Sequence, residues 1–394
     1  MLRAFTLQNF HSFRESVRIS LEMNRHTPED DRSYSSGLGT RLSKVIAVVG
    51  ANASGKTTLI KSLVFINWFV KHSFHVKPDE LIPVSAHFSA TNEPSTFEVE
   101  FEFEGRDWRY RLVVSKGRVH HESLYSKQSR AFSYVFTRDW NPESKSYVVK
   151  QQHFGMLQKE AEKVRENASL ISTAAQYDVD LALKIISSNV LSNVDGLGRQ
   201  ALDHDQIMLA SEFYAQNADI RGQMAALLQQ WDFGLSDVRV EKHTVTRESG
   251  KTEEIHVPFG IHSVGDKEYP LMFLHESSGT QGAFILLSRI LPALQHGGLV
   301  LIDELEADLH PHMLTPILDL FFSPKTNLHN AQIIFTCHSI EVLSLLHKAQ
   351  VVLVEKDEHC ESDAWRLDTV KGVRSDDNLY AKYMAGAYGA IPRL

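Results

Sequence analysis

Gly50-Ala51-Asn52-Ala53-Ser54-Gly55-Lys56-Thr57 sets two glycines, an ammonium and a hydroxyl at the spacing GxxxxGK[ST]. Glycine at both ends lets the backbone curl, so that successive amide N–H groups face a common centre and hold an anion. A helix opening at Lys56 adds the partial positive charge of its N-terminus. Such a cradle suits the phosphates of a nucleotide such as ATP, with Lys56 on the outer phosphates and the Thr57 hydroxyl on Mg²⁺. Asn52, Ala53, Ser54 and Gly55 supply the remaining walls. Thr58 is a first-turn neighbour with no required role.

A second constellation is Leu299-Val300-Leu301-Ile302-Asp303-Glu304, an apolar run that ends in two carboxylates. Burying acids at the end of a strand is costly unless a cation or water meets them. Asp303 suits a Mg²⁺ ligand, and Glu304 suits the residue that orients and polarises a water attacking the terminal phosphate. Ser277-Ser278-Gly279-Thr280-Gln281 opens a helix, where its amides and hydroxyls form either an ordinary cap or a phosphate contact. His338 follows the apolar run IIFTC and is placed to sense the same phosphate.

Three other clusters carry less. His310 and His312 stand two apart with Pro311 between them, which does not put both on one helical face. His120-His121 beside Glu122 falls on a strand, whose alternate residues point to opposite faces. The interleaved aromatic and basic residues of RDWRYRL fit a half-exposed sheet better than a nucleic-acid platform.

These residues need strands and helices to hold them. KVIAVVG before the glycine loop, GGLVLIDE and AQIIFTC read as buried strands of a parallel sheet, and the segments after Gly55 and Ser277 have helical apolar spacing. Leu2 to Leu21 reads as strands, and Phe97 to Ser115 as an antiparallel hairpin about Glu104-Gly105-Arg106-Asp107. The composition between Met156 and Trp231 shifts toward Ala, Leu, Gln, Glu and Lys, which predicts helices. The expected organisation is an α/β chain with a nucleotide-binding core, a β-rich layer and an inserted helical subdomain. Its parts are 1–155, 156–235 and 236–394, the last with the serine segment, the acidic pair and His338.

With 394 residues, 43% of them hydrophobic and 23% charged, the chain can bury a large core, which excludes a disordered or fibrous protein. A net charge of −8 gives no global attraction to nucleic acid or anionic lipid, so nucleic-acid binding is possible only through a local patch. Two cysteines without CxxC spacing support neither a disulfide framework nor a cysteine zinc site. No stretch has the length and apolarity of a membrane span, so a cytoplasmic protein with no membrane partner is expected.

The order glycine loop, SSGTQ, LVLIDE, strand with His338 resembles ABC-type ATPases, including the SMC and Rad-fifty DNA-repair proteins and the OLD group. The resemblance implies that the serine segment of one copy completes the nucleotide site of another. Ser277, Ser278, Gly279 and Gln281 would then contact ATP in trans, and Asp308 within EADLHP would lie in the D-loop. Lys56, Glu304 and His338 would be the catalytic residues, and Thr57 and Asp303 the Mg²⁺ ligands. Thr280 replaces the family's second signature glycine.

The segments LRAFTLQNFHSFRES, EPSTFEVEFEFEG, DELEADLHPHM, LVEKDE and NLYAKYMAGAYGAIP narrow the resemblance to AAA ATPases labelled ATP/GTP phosphatases. These are found in bacterial anti-phage systems such as the RloA, AbiL and PARIS groups. A sensor that oligomerises, dimer or higher, and regulates an effector protein, a toxin or nuclease encoded nearby, is the function implied. OLD-type nucleases continue into a Toprim domain; the few residues after LVEKDE are too short for one, so the effector activity is expected in the partner. The alternative is a DNA-repair or recombination ATPase of the SMC and Rad-fifty type. It lacks the heptad arms and basic segment that role calls for. No Q-loop residue can be placed, neither Gln8 nor the segment around His87.

Overall fold

A six-stranded sheet lies at the centre of the computed structural model, which describes residues 1–127, 131–246, 252–307, 309–374 and 376–391. Its order is Val190–Ser192, Leu299–Ile302, Gln332–Thr336, Val45–Gly50, Val351–Lys356, Ser362–Arg366. The first five strands are parallel and the last is antiparallel. The three runs read as buried strands are therefore adjacent in one sheet.

These runs are apolar throughout because both faces of the sheet are covered. Alternate side chains enter opposite cores. Ile46, Val48, Leu301, Ile334 and Val352 join one apolar cluster, while Val45, Ala47, Val49, Val300, Ile333 and Leu353 join the other. The first cluster is closed by the helix Lys56–His72 and a seven-stranded antiparallel sheet. That sheet runs Ser146–Gln151, Phe132–Asn141, Arg118–Lys127, Arg106–Ser115, Ser95–Phe103, Leu2–Gln8, Val17–Ser20. In the hairpin over Ser95–Phe103 and Arg106–Ser115, Trp108, Tyr110 and Leu112 are buried and Arg111 is exposed. The aromatic residues of RDWRYRL are thus core residues of a half-exposed sheet.

The second cluster is closed by the helices Ser278–His296 and Leu314–Phe322, with His204–Gln216 and Ala218–Gln230 packed on the first of these. A three-stranded meander, Asp237–Thr246, Thr252–Val264 and Lys267–Met272, stands beside them.

Residues 156–235 do not form one helical layer. Leu170–Ala175 packs on the helix Lys56–His72, and Asp180–Ile186 packs on Leu170–Ala175. Val190–Ser192 becomes the outer strand of the parallel sheet, and only the last two helices reach the second core. A strand of three residues is too short to register as a period in a helix-rich segment.

Segment 164–170 is fixed to the antiparallel sheet by a fully buried pair. Arg138 donates to the carbonyls of Val164 (2.9 Å), Arg165 (2.8 Å) and Ala168 (2.7 Å). Glu122 accepts from Ser169 Oγ (2.6 Å), the Leu170 amide (2.8 Å) and Tyr110 Oη (3.1 Å). The two side chains lie 3.4 Å apart. Each charge of this pair therefore meets several partners, the condition for tolerating it. Among the described residues no helix is long and apolar enough to cross a membrane.

Candidate functional site

The carboxyl ends of the central strands meet in one place, where open α/β sheets put their ligands. Gly50 ends the middle strand, and a Cβ built on it would lie 2.1 Å from the Val354 carbonyl oxygen, so only glycine fits. Ala53 and Gly55 turn the loop through left-handed φ of 59° and 114°. A Cβ on Gly55 would lie 2.7 Å from Ser362 Oγ, which itself donates to the Ser54 carbonyl at 2.6 Å. Asn52 and Ala53 are exposed, Ser54 and Lys56 buried, and Thr57 and Thr58 half-buried.

The loop keeps donors in reserve. Among the described residues the amides of Ala53 and Gly55 donate to no acceptor, and the buried Ser54 hydroxyl has no partner. Lys56 Nζ donates to the carbonyls of Gly50 and Ala51, each at 2.9 Å, and so bends over the loop it ends. Burial pushes its ammonium below the usual lysine range, an effect that Asp303 and Glu304 oppose. Free amides, a buried cation and a helix N-terminus form a set that fits a polyphosphate.

Asp303, buried at the end of Leu299–Ile302, faces this loop. Thr57 Oγ1 donates to its Oδ2 at 2.8 Å, and Thr336 Oγ1 to its Oδ1 at 2.7 Å. The Thr336 hydroxyl also accepts from the Glu304 amide at 2.7 Å, and Asn193 brackets the Asp303 backbone with bonds of 2.7 and 2.9 Å. A carboxylate beside a threonine hydroxyl is a hard oxygen pair of the kind Mg²⁺ takes. Among the described residues no cluster of three or more His, Cys, Asp or Glu forms a metal site of another kind.

Glu304 has φ of 55°, rare for a residue with a side chain. Its carboxylate lies 3.4 Å from His338 Nε2 and 3.3 Å from Arg199 Nε, with both His338 and Glu304 partly exposed. His338 is held from behind, because Glu306 Oε1 accepts from its amide and from that of Ser339. Cys337, just before His338, is buried, and its thiol is pushed well up by burial and by Glu306, which leaves it a packing residue.

A family model described as "AAA domain, putative AbiEii toxin, Type IV TA system" matches residues 45–344, from the strand before the glycine loop to the turn after His338. The chain belongs to this AAA family. Its α/β core carries the glycine loop and the acidic pair at the carboxyl ends of the parallel strands. A comparison with curated proteins finds no match. Among solved structures, a SmcHead bound to the C-winged helix domain of ScpA has TM-score 0.46 at 13% identity, over 94% of this chain and 99% of that one. The SMC head domain from Thermotoga maritima has TM-score 0.43 at 12% identity, over 93% and 98%. An Smc head domain with an extended coiled coil, bound to the C-terminal domain of ScpA derived from Pyrococcus furiosus, has TM-score 0.43 at 12% identity, over 93% and 97%.

Within this AAA domain the serine segment opens the helix Ser278–His296. Ser277 caps the helix Ser278–His296, accepting from the Thr280 amide at 3.2 Å. Ser277 and Ser278 are exposed and Gly279 half-buried, while the Gln281 amide turns inward to the carbonyls of Phe273, Leu274 and Glu276. No hydrogen bond among the described residues joins 277–281 to the glycine loop. Asp308 lies outside the described residues, as does Pro392.

Sequence patterns did not mark Asn193, Arg199, Glu306 or Thr336, the residues that fix the acidic pair and His338. Gln8 is exposed at a strand end, and His87 is buried against Ser89, its Nδ1 2.8 Å from Ser89 Oγ. The amide side chain at the carboxyl end of the parallel sheet belongs instead to Asn193.

Proposed function

We propose that the chain binds ATP with Mg²⁺ and hydrolyses it as an assembly of two or more copies. In this reading nucleotide state holds or releases an effector protein. The observation that carries it is the 2.8 Å bond from Thr57 to Asp303, which ties the glycine loop to the acidic strand.

Thr57 and Asp303 would hold Mg²⁺, which when bound supplies positive charge against the outer phosphates. The amides of Asn52 to Thr58 and the Lys56 ammonium bind the phosphates. Glu304 orients and polarises the attacking water, and His338 stands beside it at the same end. Ser277, Ser278 and Gly279 belong to the face offered to a second copy, while the Gln281 amide is spent on its own chain. Two facts support this: the serines are exposed, and none of their bonds reaches their own loop.

The family description names a toxin and a toxin–antitoxin system, which supports an effector of the toxin or nuclease kind and a place in bacterial anti-phage defence. The exposed helices within residues 156–235 are the candidate surface for that partner. A cytoplasmic location completes the proposal.

Calorimetry with Mg-ATP tests the loop: Lys56→Ala is expected to lose binding, and unchanged affinity overturns the assignment. In Glu304→Gln, turnover falls about 100-fold or more, the scale of general-base catalysis, and an ATP-bound assembly accumulates in light scattering. A chain that stays monomeric at full turnover refutes the shared site.

A further inference from the structure

We infer that Arg199 is a positioning residue that holds Glu304 away from the attacking water until the Ser278–His296 helix is engaged by a second copy. This inference rests on the ATPase reading above.

Arg199 closes a tight hairpin that follows the outer strand Val190–Ser192. Val194 and Arg199 form an antiparallel bridge, the Asp195 amide donates to the Gly198 carbonyl at 2.9 Å, and the Gln200 amide to the Asn193 carbonyl at 2.8 Å. The base of the hairpin is joined to the acidic strand, since Asn193 makes both of its side-chain bonds to the Asp303 backbone. From there Arg199 Nε reaches Glu304 Oε2 at 3.3 Å. Among the described residues the Glu304 carboxylate has two side-chain neighbours of this kind, the Arg199 guanidinium and the His338 imidazole. A carboxylate held on Oε2 by the Arg199 guanidinium and beside the His338 ring on Oε1 is turned toward those two side chains and fixed in that direction.

The same hairpin is bonded to the helix that carries the exposed serines. Arg289, on Ser278–His296, donates from Nε to the Ser192 carbonyl at 3.0 Å and from Nη2 to Gln200 Oε1 at 3.1 Å. Movement of that helix as a whole therefore pulls, through Arg289 in its second half, on both roots of the hairpin. Little opposes a shift at the far side, because Leu197 at the tip is 98% exposed and buries no apolar surface. The hold itself is light, since the side chains are 31% and 38% exposed. Ion pairs of that exposure shift an equilibrium by up to about fivefold, small enough for docking of a second copy to release.

The test is steady-state Mg-ATP turnover by the full chain at low protein concentration. Arg199→Ala is expected to raise kcat about two- to fivefold with KM unchanged. It also makes turnover less dependent on protein concentration, while Arg199→Lys stays near the wild type. Should the alanine variant melt early, Arg199→Gln, which keeps the aliphatic stem, is read in the same way. An unchanged kcat assigns the pair to the surface, and a fall in kcat makes Arg199 a catalytic cation; either result overturns the inference. If turnover needs Lys56 but does not rise in Arg199→Ala, only the hold on Glu304 is wrong. If Lys56→Ala turns over as the wild type does, the ATPase reading itself fails.

Discussion

The Thr336 hydroxyl donates to Asp303 Oδ1 over 2.7 Å, linking two neighbouring strands at the point where both carry functional groups. Because the same oxygen accepts from the Glu304 amide, one side chain sets the direction of the acidic pair. Thr336→Val keeps the shape and removes the bond. The buried Asp303 oxygen then lacks a donor, which costs on the order of 1–3 kcal/mol. The expected outcome is a lower urea midpoint together with weaker Mg²⁺-dependent nucleotide binding; an unaltered midpoint would remove Thr336 from this role.

Gly50 sits where a methyl group would meet the Val354 carbonyl at 2.1 Å. The obstacle is backbone in a central strand, so it cannot swing aside as a side chain does. Gly50→Ala is expected to destabilise by about 3 kcal/mol, the upper part of the overpacking range. Thermal unfolding of the purified variant measures it, and a melting temperature equal to the wild type contradicts the packing described.

Arg138 and Glu122 form a buried pair at the back of the antiparallel sheet. Arg138→Met strands the Glu122 carboxylate and three carbonyls, and removing one partner of such a pair costs about 3–5 kcal/mol. Arg138→Met with Glu122→Gln should recover part of that loss, because the stranded charge is gone. Chemical denaturation of the two single variants and the double variant closes the cycle, and strict additivity would mean that the two residues do not interact.

His11 supplies a pH test. Burial lowers its imidazole from 6.5 to about 4, and the nearby Lys61 adds to the effect. Between those values the unfolded chain takes up a proton that the folded chain refuses, so its contribution is complete above pH 6.5 and is lost as pH falls toward 4. Denaturant unfolding at pH 7 and pH 5 should show a larger loss for the wild type than for His11→Asn. Equal losses would place the imidazole in water.

What could be read from the sequence depended on how local each signal is. Gly50 to Thr57 declares itself because the cradle is one continuous octapeptide, and Asp303-Glu304 because two acids end an apolar run. Ser277 is readable as a cap for the same reason. Thr336, Asn193 and Arg199 are ordinary polar residues in their own segments, and only the strand order brings them against the acids. Composition announced the helices between 156 and 235 but said nothing of Val190–Ser192, whose pairing with Leu299–Leu301 divides that region between two cores.

The strand Val45–Gly50 pairs on both sides with segments far downstream of it in the chain, Gln332–Thr336 and Val351–Lys356. Until both are present, the edges of this strand carry unpaired amides and carbonyls on a strongly apolar ribbon, a template for wrong pairing. The glycine loop at the end of this strand is therefore built only once the most distant contacts of the core have formed, and a bound ligand stabilises nothing before then.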